Sequence, residues 1–309
     1  MRQIIDRVRS PLVPLRAPPL FPGIAALGEL NILDGWREPQ PAPLGQLDSF
    51  DVVLAQRPKD IRRAQKLRYR VFYEEMAAIA DYRTRLARRD IDAFDAICDH
   101  LLVRDHKAVQ FGSHLKPNVI GTYRLLRHSV AARHNGFYSA GEFDIDPLTA
   151  RHPHLNFLEL GRSCVLAPYR SKRTVELLWH GIWAYVLERR VDVMFGCVSL
   201  EGTDPKRLAL PLSYLHHFAA AAAPWRTQAV PHRRVDMNRM PKQAIDAKAA
   251  LRSLPPLIKG YLRLGAVVGD GAVIDHQFGT TDVLMILPVS AISARYIAHF
   301  GEHAERYAA

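Results

Sequence analysis

The sequence predicts a mixed α/β domain, in which one mixed β-sheet carries helices packed against it. Segments of strand type and helical type follow one another along the middle of the chain, which is the first observation behind this prediction. The second is size, because 309 residues that are 48% hydrophobic can bury a sizeable core and exclude a fully disordered chain. The sequence also shows no repeat and no Gly-x-Gly-x-x-Gly, Walker or zinc-finger pattern, which argues against nucleotide and metal cofactors.

Residues 1–48 are predicted to be a proline-rich mobile extension. They contain eight of the 21 prolines, and proline fits neither helix nor sheet interiors. A folded domain is expected over 49–309, with a core from about 50 to 235 and a C-terminal extension from about 236 to 309.

Seven segments of the core have the periodicity of a strand or of an amphipathic helix. Strands are predicted at 50–55, 100–104, 119–126, 156–168 and 191–198, and helices at 59–76 and 171–190. The first helix shows the signal well, because Ile61, Ala64, Leu67 and Val71 recur at helical spacing.

Charge and cysteine content limit the possible partners and compartments. Lys and Arg number 42 against 31 Asp and Glu, giving a net charge of +11. This balance favours an acidic partner, whether nucleic acid, an anionic membrane or an acidic carrier protein. Three widely spaced cysteines indicate neither a disulfide framework nor a zinc site and fit a reducing cytoplasm. No apolar run approaches the roughly 20 residues of a membrane span, so any membrane contact is expected from the surface.

The predicted strand at 156–168 carries two charged residues among apolar ones. Regular alternation would place Glu159 and Arg162 on opposite faces, so each needs its own partner. Desolvation in mid-strand raises the pKa of a carboxyl group toward that of a useful base, which makes Glu159 the candidate proton acceptor. The alternative is a structural salt bridge from Glu159 to Arg124 or Arg68. Arg162 is expected to be architectural, as a member of an ion pair.

A basic turn opens the helix at 171–190. Arg170, Ser171, Lys172 and Arg173 follow one another there, and the free N–H groups of a helix start favour a phosphate. The alternative is a solvated, positively charged helix end.

Four short patterns stand in order along the core: Arg-Tyr-Arg-Val-Phe at 68–72, Asp-Ala-Phe-Asp at 92–95, Gly-Thr-Tyr-Arg at 121–124 and Glu-Leu-Gly-Arg at 159–162. Together with the basic turn they resemble the acyl-homoserine-lactone synthases, a branch of the GCN5-related N-acyltransferase superfamily that takes its acyl group from acyl carrier protein. This resemblance covers about residues 50–200. The block at 254–275, with Phe278 and 281–283 after it, resembles the ornithine N-acyltransferases of bacterial ornithine-lipid synthesis.

The resemblance implies a mostly antiparallel mixed sheet with helices on both faces and a C-terminal extension. It also implies transfer of a 3-hydroxyacyl group from acyl carrier protein to the α-amine of ornithine, which gives lyso-ornithine lipid. The α-amine, with a pKa of about 8 to 9, is more often neutral than the side-chain amine near 10.4. Direct attack of the amine on the thioester needs no side-chain nucleophile.

Superfamily members splay this strand at its end and expose backbone N–H groups. The resemblance therefore places the thioester oxygen at the backbone of Cys164, Val165 and Leu166. The thiol of Cys164 could also be an acyl-enzyme nucleophile, yet a small buried cysteine is usually a packing residue.

The superfamily turn usually has two small residues that admit coenzyme A, and here Arg173 and Val175 occupy those places. Bulky side chains would crowd a nucleotide pyrophosphate, which shifts the expected donor to a protein carrier. The phosphate of its phosphopantetheine is expected at Arg170, Lys172, Arg173 and Thr174.

An amino-acid acceptor carries an ammonium group and a carboxylate. Asp92 and Asp95 are candidates for the ammonium, Arg68 or Arg124 for the carboxylate, and Phe72 for a wall of the site. On a helix, Asp-x-x-Asp spacing places both carboxylates on one face, whereas in a loop the pair would form an ordinary turn or cap.

No resident cofactor is expected, since 4′-phosphopantetheine arrives on the carrier. The expected partners are acyl carrier protein, ornithine and an anionic inner-membrane surface, without nucleic acid. The expected location is the cytoplasm, with peripheral association at the inner membrane. The block at 255–274 is expected to cover an apolar groove for the acyl chain or to form a membrane-facing edge.

Two rival functions stay open at this point. One is an acyl-homoserine-lactone synthase-like enzyme that uses S-adenosylmethionine. The other is a non-catalytic basic protein that binds anionic membrane or nucleic acid, for which Glu159 would be unimportant.

Overall fold

One ten-stranded sheet forms the centre of the computed structural model, which describes residues 42–109, 117–294 and 296. The strands are β1 (Gly45–Leu47), β2 (Phe50–Leu54), β3 (Asp99–Val109), β4 (Pro117–Arg127), β5 (Phe157–Val165), β6 (Val193–Glu201), β7 (Arg234–Val235), β8 (Val267–Val268), β9 (Ala272–Asp275) and β10 (Thr280–Pro288). Their order across the sheet is β1-β2-β3-β4-β5-β6-β10-β9-β7, and β8 pairs with β10. Neighbouring strands run antiparallel except β5 and β6, which are parallel. This is the mostly antiparallel mixed sheet that the sequence predicts.

Helices flank both faces of this sheet. They are α1 (Pro58–Tyr69), α2 (Tyr82–Ala87), α3 (His128–Ala131), α4 (Ile145–Ala150), α5 (Lys172–Glu188), α6 (Ala209–Phe218), α7 (Ala247–Ser253) and α8 (Pro256–Arg263). Helix α1 continues directly into a π-helix at Arg70–Glu75, where the Met76 N–H donates to the Val71 carbonyl over 3.0 Å.

The side chains of β10 alternate between the two faces of the sheet, and each face packs into its own hydrophobic core. Val283, Met285 and Leu287 belong to one cluster of buried apolar residues, and Leu284 and Ile286 belong to the other. A strand buried on both faces reads as an unbroken apolar run, and the residues from Val283 to Leu287 form such a run.

The predicted elements are found with shifted ends. The strand predicted to reach residue 168 ends at Val165, because Ala167–Tyr169 form a 3₁₀ turn that includes a proline. Ser171 is the N-cap of α5, and its hydroxyl accepts from the Thr174 N–H. The sheet begins at Gly45, inside the segment 1–48 that we predict as an extension; residues 1–41 lie outside the described part of the chain.

The two parallel strands separate after a short common run. β5 and β6 pair only from Phe157 to Glu159, opposite Val193 to Phe195. Beyond this run β5 keeps its pairing with β4 as far as Val165, while β6 stays paired with β10. A wedge-shaped opening therefore forms in the middle of the sheet.

Among the described residues, no helix is both long and apolar enough to cross a bilayer.

Candidate active site

A cavity of about 540 Å³ occupies the wedge between β5 and β6. Its walls come from the diverging stretches of these strands, from β4, and from the π-helix that follows α1. The C-terminal block closes it through α8 and the β9–β10 hairpin, with Pro255, Leu257, Tyr261 and Phe278 among the lining residues. The expectation that residues 255–274 cover a groove therefore agrees with where α8 lies.

Glu159 lies on the cavity wall at the point where the strands separate. It is only 4% exposed. Its Oε1 accepts from the Ser139 N–H at 2.7 Å and from the Ser139 hydroxyl, and its Oε2 accepts from the Tyr138 N–H at 2.9 Å. Burial raises the pKa of Glu159, and the hydrogen bonds from Ser139 and Tyr138 oppose that rise.

These contacts correct the structural alternative considered for Glu159. The alternative to a base was a salt bridge to Arg124 or Arg68, but both guanidinium groups pair with aspartates instead. The partner of Glu159 is the 3₁₀ turn at Tyr138–Gly141, which its carboxylate holds against the sheet. A carboxylate offers about four acceptor positions, so one lone pair of Oε2 is left over.

Arg162 does not lie on the face opposite Glu159. A β-bulge interrupts the pairing of β4 and β5 between Thr122 and Arg124, and Arg162 has a positive φ of 50°. A bulge adds one residue and resets the alternation of side chains. The guanidinium of Arg162 therefore stacks on the ring of Tyr138 at 4.7 Å, beside the turn that Glu159 binds.

Arg162 is a member of ion pairs, as predicted. Its Nε is 3.2 Å from Asp90 Oδ2 and its Nη2 is 3.2 Å from Asp92 Oδ2.

The aspartates and arginines predicted to bind the acceptor form a buried ion network. Arg68 contacts both oxygens of Asp95 at 2.8 Å, and Arg124 contacts Asp92 at 2.6 Å. Although burial opposes it, the contact with Arg68 holds the pKa of Asp95 well below its usual range. Asp92 caps a 3₁₀ helix, Ala93–Ala96, in a capping box with Asp95. These two aspartates thus take the cap arrangement that we considered as the alternative to a helical face.

Only part of the predicted acceptor site reaches the cavity. Phe72 and Arg124 line it, whereas Arg68, Asp92 and Asp95 do not. Arg68 is fully buried against its aspartate partners.

The end of β5 presents one free edge to the wedge. The Leu166 N–H donates to the Ile120 carbonyl at 2.9 Å, so this predicted thioester donor is already used. Backbone N–H groups alternate in direction along a strand, and the N–H of Val165 therefore points away from β4, toward the opening. The Nε of Arg170 donates to the Val165 carbonyl at 3.0 Å and fixes this strand end.

Cys164 lines the cavity but is a poor nucleophile. Burial raises the pKa of its thiol to about 12, so the reactive thiolate is scarce at neutral pH.

The cations at the start of α5 are exposed and lie next to acids. Arg170 pairs with Glu75, Lys172 with Glu176 at 3.3 Å, and Arg173 with Asp48. Thr174 is fully buried, its N–H donates to the Ser171 hydroxyl, and its own hydroxyl lies 3.1 Å from that hydroxyl. Of the four predicted phosphate ligands, the three cations therefore form the accessible group.

A cluster of three acids, two of which line the cavity, was not predicted from the sequence. Glu142, Asp275 and Asp282 each bring one carboxylate oxygen to within 4.8 Å of the others. Asp275 and Asp282 line the cavity. The only signal in the sequence is that these two aspartates flank the turn of a hairpin, and nothing local links them to Glu142.

Comparison with known proteins gives the family. Residues 67–180 match the Acetyltransferase (GNAT) domain. The chain is 53% identical over 264 residues to an L-ornithine N(alpha)-acyltransferase of Brucella abortus (strain 2308), covering 85% of this chain and 93% of the relative. It is 51% identical over 262 residues to the protein of the same name from Agrobacterium fabrum (strain C58 / ATCC 33970), covering 85% and 88%.

Solved structures also match this chain, with TM-scores below 0.5. FeeM, an N-acyl amino acid synthase from uncultured soil microbes, matches with a TM-score of 0.44 at 10% identity, over 78% of this chain and 91% of FeeM. The AHL synthase LasI matches with a TM-score of 0.40 at 14% identity, over 77% and 89%. From the sequence identities to the curated relatives, this chain belongs to the L-ornithine N(alpha)-acyltransferase family.

Proposed function

We propose that this protein transfers a 3-hydroxyacyl group from acyl carrier protein to the α-amine of L-ornithine, which gives lyso-ornithine lipid. The observation that carries the proposal is the cavity at the β5–β6 wedge, where a buried carboxylate and an unpaired strand edge face one apolar space. The relatives that share half of the residues are named for acylation of ornithine.

The wedge supplies what aminolysis of a thioester requires. The neutral α-amine attacks the thioester carbonyl, and the tetrahedral intermediate places negative charge on oxygen, which the Val165 N–H can stabilise. Glu159, through the remaining lone pair of Oε2 or through a water, accepts the proton that the nitrogen loses. The C–S bond then breaks, and the pantetheine thiolate leaves and takes up a proton.

This reaction needs no resident cofactor, because the activated acyl group arrives as a thioester on the carrier's 4′-phosphopantetheine.

An acidic carrier fits the start of α5. Arg170, Lys172 and Arg173 are exposed on one turn of a protein whose net charge is +11. The side chains of their present acidic neighbours are 28–62% exposed, and ion pairs with this much solvent contact contribute little to stability. A phosphate and an acidic helix of the carrier can therefore replace them at small cost.

The acyl chain is expected to lie under the C-terminal block. Leu257 and Tyr261 of α8 and Met285 and Leu287 of β10 present apolar surface to the cavity. Burying each methylene group of the chain there contributes roughly 0.8 kcal/mol.

Membrane contact is proposed for the segment around α2. Met76, Ile79, Tyr82 and Leu86 are 54–77% exposed, and the exposed cations Arg83, Arg85 and Arg88 lie among them. Apolar side chains surrounded by cations favour an anionic bilayer. Met76 also lines the cavity, so this surface adjoins the site where a lipid product would form.

Sedimentation with phosphatidylglycerol vesicles tests this surface. Ile79→Ser with Leu86→Ser should reduce binding, while Leu187→Ser, which changes an equally exposed leucine on α5, should not. Equal binding of all three proteins would contradict the proposal.

Thiol release tests the proposed function itself. The protein is incubated with 3-hydroxyacyl carrier protein and either ornithine or S-adenosylmethionine, and free carrier thiol is followed over time. Release with ornithine is expected. Release with S-adenosylmethionine alone would indicate the lactone-synthase reaction, and release with neither would favour a non-catalytic basic protein.

A further inference from the structure

The three clustered acids, of which Asp275 and Asp282 line the cavity, come from separate parts of the fold. Glu142 follows the 3₁₀ turn at Tyr138–Gly141, Asp275 ends β9 and Asp282 lies in β10. Glu142 is 5% exposed and Asp282 is 7% exposed. Charged groups are rarely buried this deeply unless they are paired.

This cluster has too little positive charge of its own. The Nη2 of Arg233 is 3.4 Å from Glu142 Oε1, which leaves three carboxylates with one distant ion pair. Within the described part of the chain, the other buried oxygen, Glu142 Oε2, has no hydrogen-bond partner of ordinary geometry. The neutral thiol of Cys197 is close enough to lower the pKa of this carboxyl group, but it brings no positive charge. An unsatisfied buried acceptor of this kind points to a donor that a ligand brings.

The remaining oxygens accept neutral donors. Asp275 Oδ1 accepts from the N–H groups of Gln277 and Phe278, and Asp282 Oδ1 accepts from the Thr280 hydroxyl at 2.9 Å. Burial and the neighbouring Asp282 raise the pKa of Glu142, and burial raises the pKa of Asp282 against the opposing hydrogen bonds from Ser199 and Thr280. A cation bound among the three carboxylates would offset both the burial and the mutual repulsion.

We propose that Glu142, Asp275 and Asp282 form the subsite that binds the side-chain ammonium of ornithine and so directs acylation to the α-amine. This inference rests on the proposed function and assigns the acceptor's cation to residues other than Asp92 and Asp95. Both of those aspartates contact arginines at 2.8 Å or less, whereas among the three acids of the cluster only Glu142 has an arginine contact within the described residues, with Arg233 at 3.4 Å.

The spacing suits an ammonium group. Three acceptors placed about 2.9 Å from one tetrahedral nitrogen lie roughly 4.7 Å apart, and the three carboxylate oxygens here lie within 4.8 Å of one another. An ammonium has three N–H donors, one for each acid. A divalent metal ion is the competing occupant.

The position of the subsite also explains why the α-amine of ornithine, and not its side-chain amine, is acylated. Asp275 and Asp282 line the same cavity as Glu159, Val165 and Arg162. With its side-chain ammonium held by three carboxylates, ornithine keeps that nitrogen protonated and unable to attack. The α-amine, which is separated from the side-chain nitrogen by four carbon atoms, is left as the nucleophile.

Comparison of two acceptors tests the subsite. Norvaline has the carbon chain of ornithine without the terminal amine. Steady-state kcat/KM for both amino acids is measured with 3-hydroxyacyl carrier protein for the wild-type protein, Asp282→Asn and Glu142→Gln. Asp270→Asn serves as the control, because Asp270 is an exposed acid paired with Arg234 outside the cluster.

The wild-type protein should prefer ornithine over norvaline by about 10- to 100-fold, the range for a charged hydrogen-bond partner. This ratio should fall toward one in Asp282→Asn and Glu142→Gln, mainly through KM for ornithine, and should persist in Asp270→Asn. Each variant is measured with both acceptors. A general loss of activity would lower both kcat/KM values and leave their ratio unchanged, so it cannot be mistaken for loss of the subsite. A folding defect is checked independently by thermal unfolding.

Four outcomes would overturn the inference. If ornithine is acylated with no preference over norvaline, or if the cluster variants keep the wild-type ratio, the subsite is wrong while the proposed function stands. If neither amino acid is acylated, the proposed function fails and the subsite fails with it. If EDTA abolishes wild-type activity, and Mn²⁺ binds to the wild-type protein but not to Asp282→Asn, the cluster is a metal site.

Discussion

Glu159 combines two environments that act on its pKa in opposite directions. Its position in a sheet buried on both faces favours the protonated form, while three donors from one turn favour the carboxylate. The carboxyl group is therefore a structural anchor for the turn, and in the proposed mechanism it is also the base. Substitution of Glu159 by glutamine removes the charge but keeps the size and shape of the side chain. It therefore tests the role of the carboxylate as a base separately from its role as an anchor for the turn.

We expect Glu159→Gln to lower kcat by about 100-fold, within the range for loss of a general base, and to leave carrier affinity unchanged. In the wild-type protein, kcat should rise with pH as Glu159 loses its proton, and this acidic limb should be absent from the variant. A pH–rate profile with a carrier-binding titration measures both.

Ser139→Ala is the matched control for that experiment. It removes a hydrogen bond that lowers the pKa of Glu159 but keeps the carboxyl group. The acidic limb should therefore move to higher pH with its plateau largely retained. Turnover of Glu159→Gln that equals the wild type at every pH would exclude Glu159 as the base.

At the level of residues, the sequence could predict what depends on local burial but not what depends on long-range contact. Glu159 stands in an apolar strand, and its raised pKa follows from that position. The place of Arg162 could not be obtained from alternation, since a bulge leaves no periodic signal. Glu142 lies about 130 residues before Asp275 and Asp282, so only the folded sheet brings the three together.

At the level of elements, the wedge between β5 and β6 requires the two backbones to approach closely before they part. A Cβ at Gly196 would lie 2.2 Å from the Leu160 carbonyl oxygen, whereas a Cβ at Gly161 would meet no atom within 4 Å. Only glycine fits the first position without movement of a strand.

Gly196→Ala should therefore lower the free energy of unfolding by about 2 kcal/mol, as overpacked sites do. Gly161→Ala, the same substitution on the facing strand, should change it by less than about 0.5 kcal/mol. Denaturant unfolding of both variants gives the comparison. Equal stabilities would mean that the strands do not touch at this point.

The start of α5 allows an equally direct comparison within one helix. Lys172→Glu with Arg173→Glu should weaken carrier binding by about 10-fold at low salt, and the difference should shrink as salt is added. Arg189→Glu with Arg190→Glu makes the same change of charge at the other end of the helix, roughly 25 Å away, and should have little effect. Wild-type affinity of the first variant at low salt would rule out this docking site.

Elements with a strong hydrophobic periodicity were predicted correctly, but the positions of their ends were predicted less accurately. β2, β3, β4, β6, α1 and α5 follow from apolar spacing alone. β5 ends earlier than predicted because the turn at Ala167–Tyr169 still contains apolar residues. The two-residue strands β7 and β8 are too short to show a period, and they form only because longer strands lie beside them.

At the level of the whole molecule, the acid cluster has a cost in stability. Asp282 has a pKa that is raised in the folded state, so the folded protein holds its proton to higher pH than the unfolded chain. Stability is therefore expected to fall as pH rises from the unfolded pKa of about 3.9 through the raised folded pKa. Asp282→Asn should remove this part of the fall and raise the free energy of unfolding at pH 7 by about 1 kcal/mol.

Thermal unfolding of the wild type and Asp282→Asn at several pH values measures this effect. The two curves should converge at acidic pH and separate toward neutrality. A variant that is less stable than the wild type at pH 7 would show that the carboxylate is already compensated. Such a gain in stability from removing a binding group is a familiar trade-off between stability and activity.

The π-helix at Arg70–Glu75 bears on how insertions and deletions would be tolerated. A π-helical turn holds one residue more than the α-helical turn that it replaces. Deleting a single residue there would let the α-helix continue and would rotate the following chain by about 100°. That rotation would carry Met76 off the cavity wall and turn the exposed arginines and apolar side chains of the α2 region in a new direction. The length of this π-helix therefore fixes how the cavity wall and the exposed segment around α2 are oriented relative to each other.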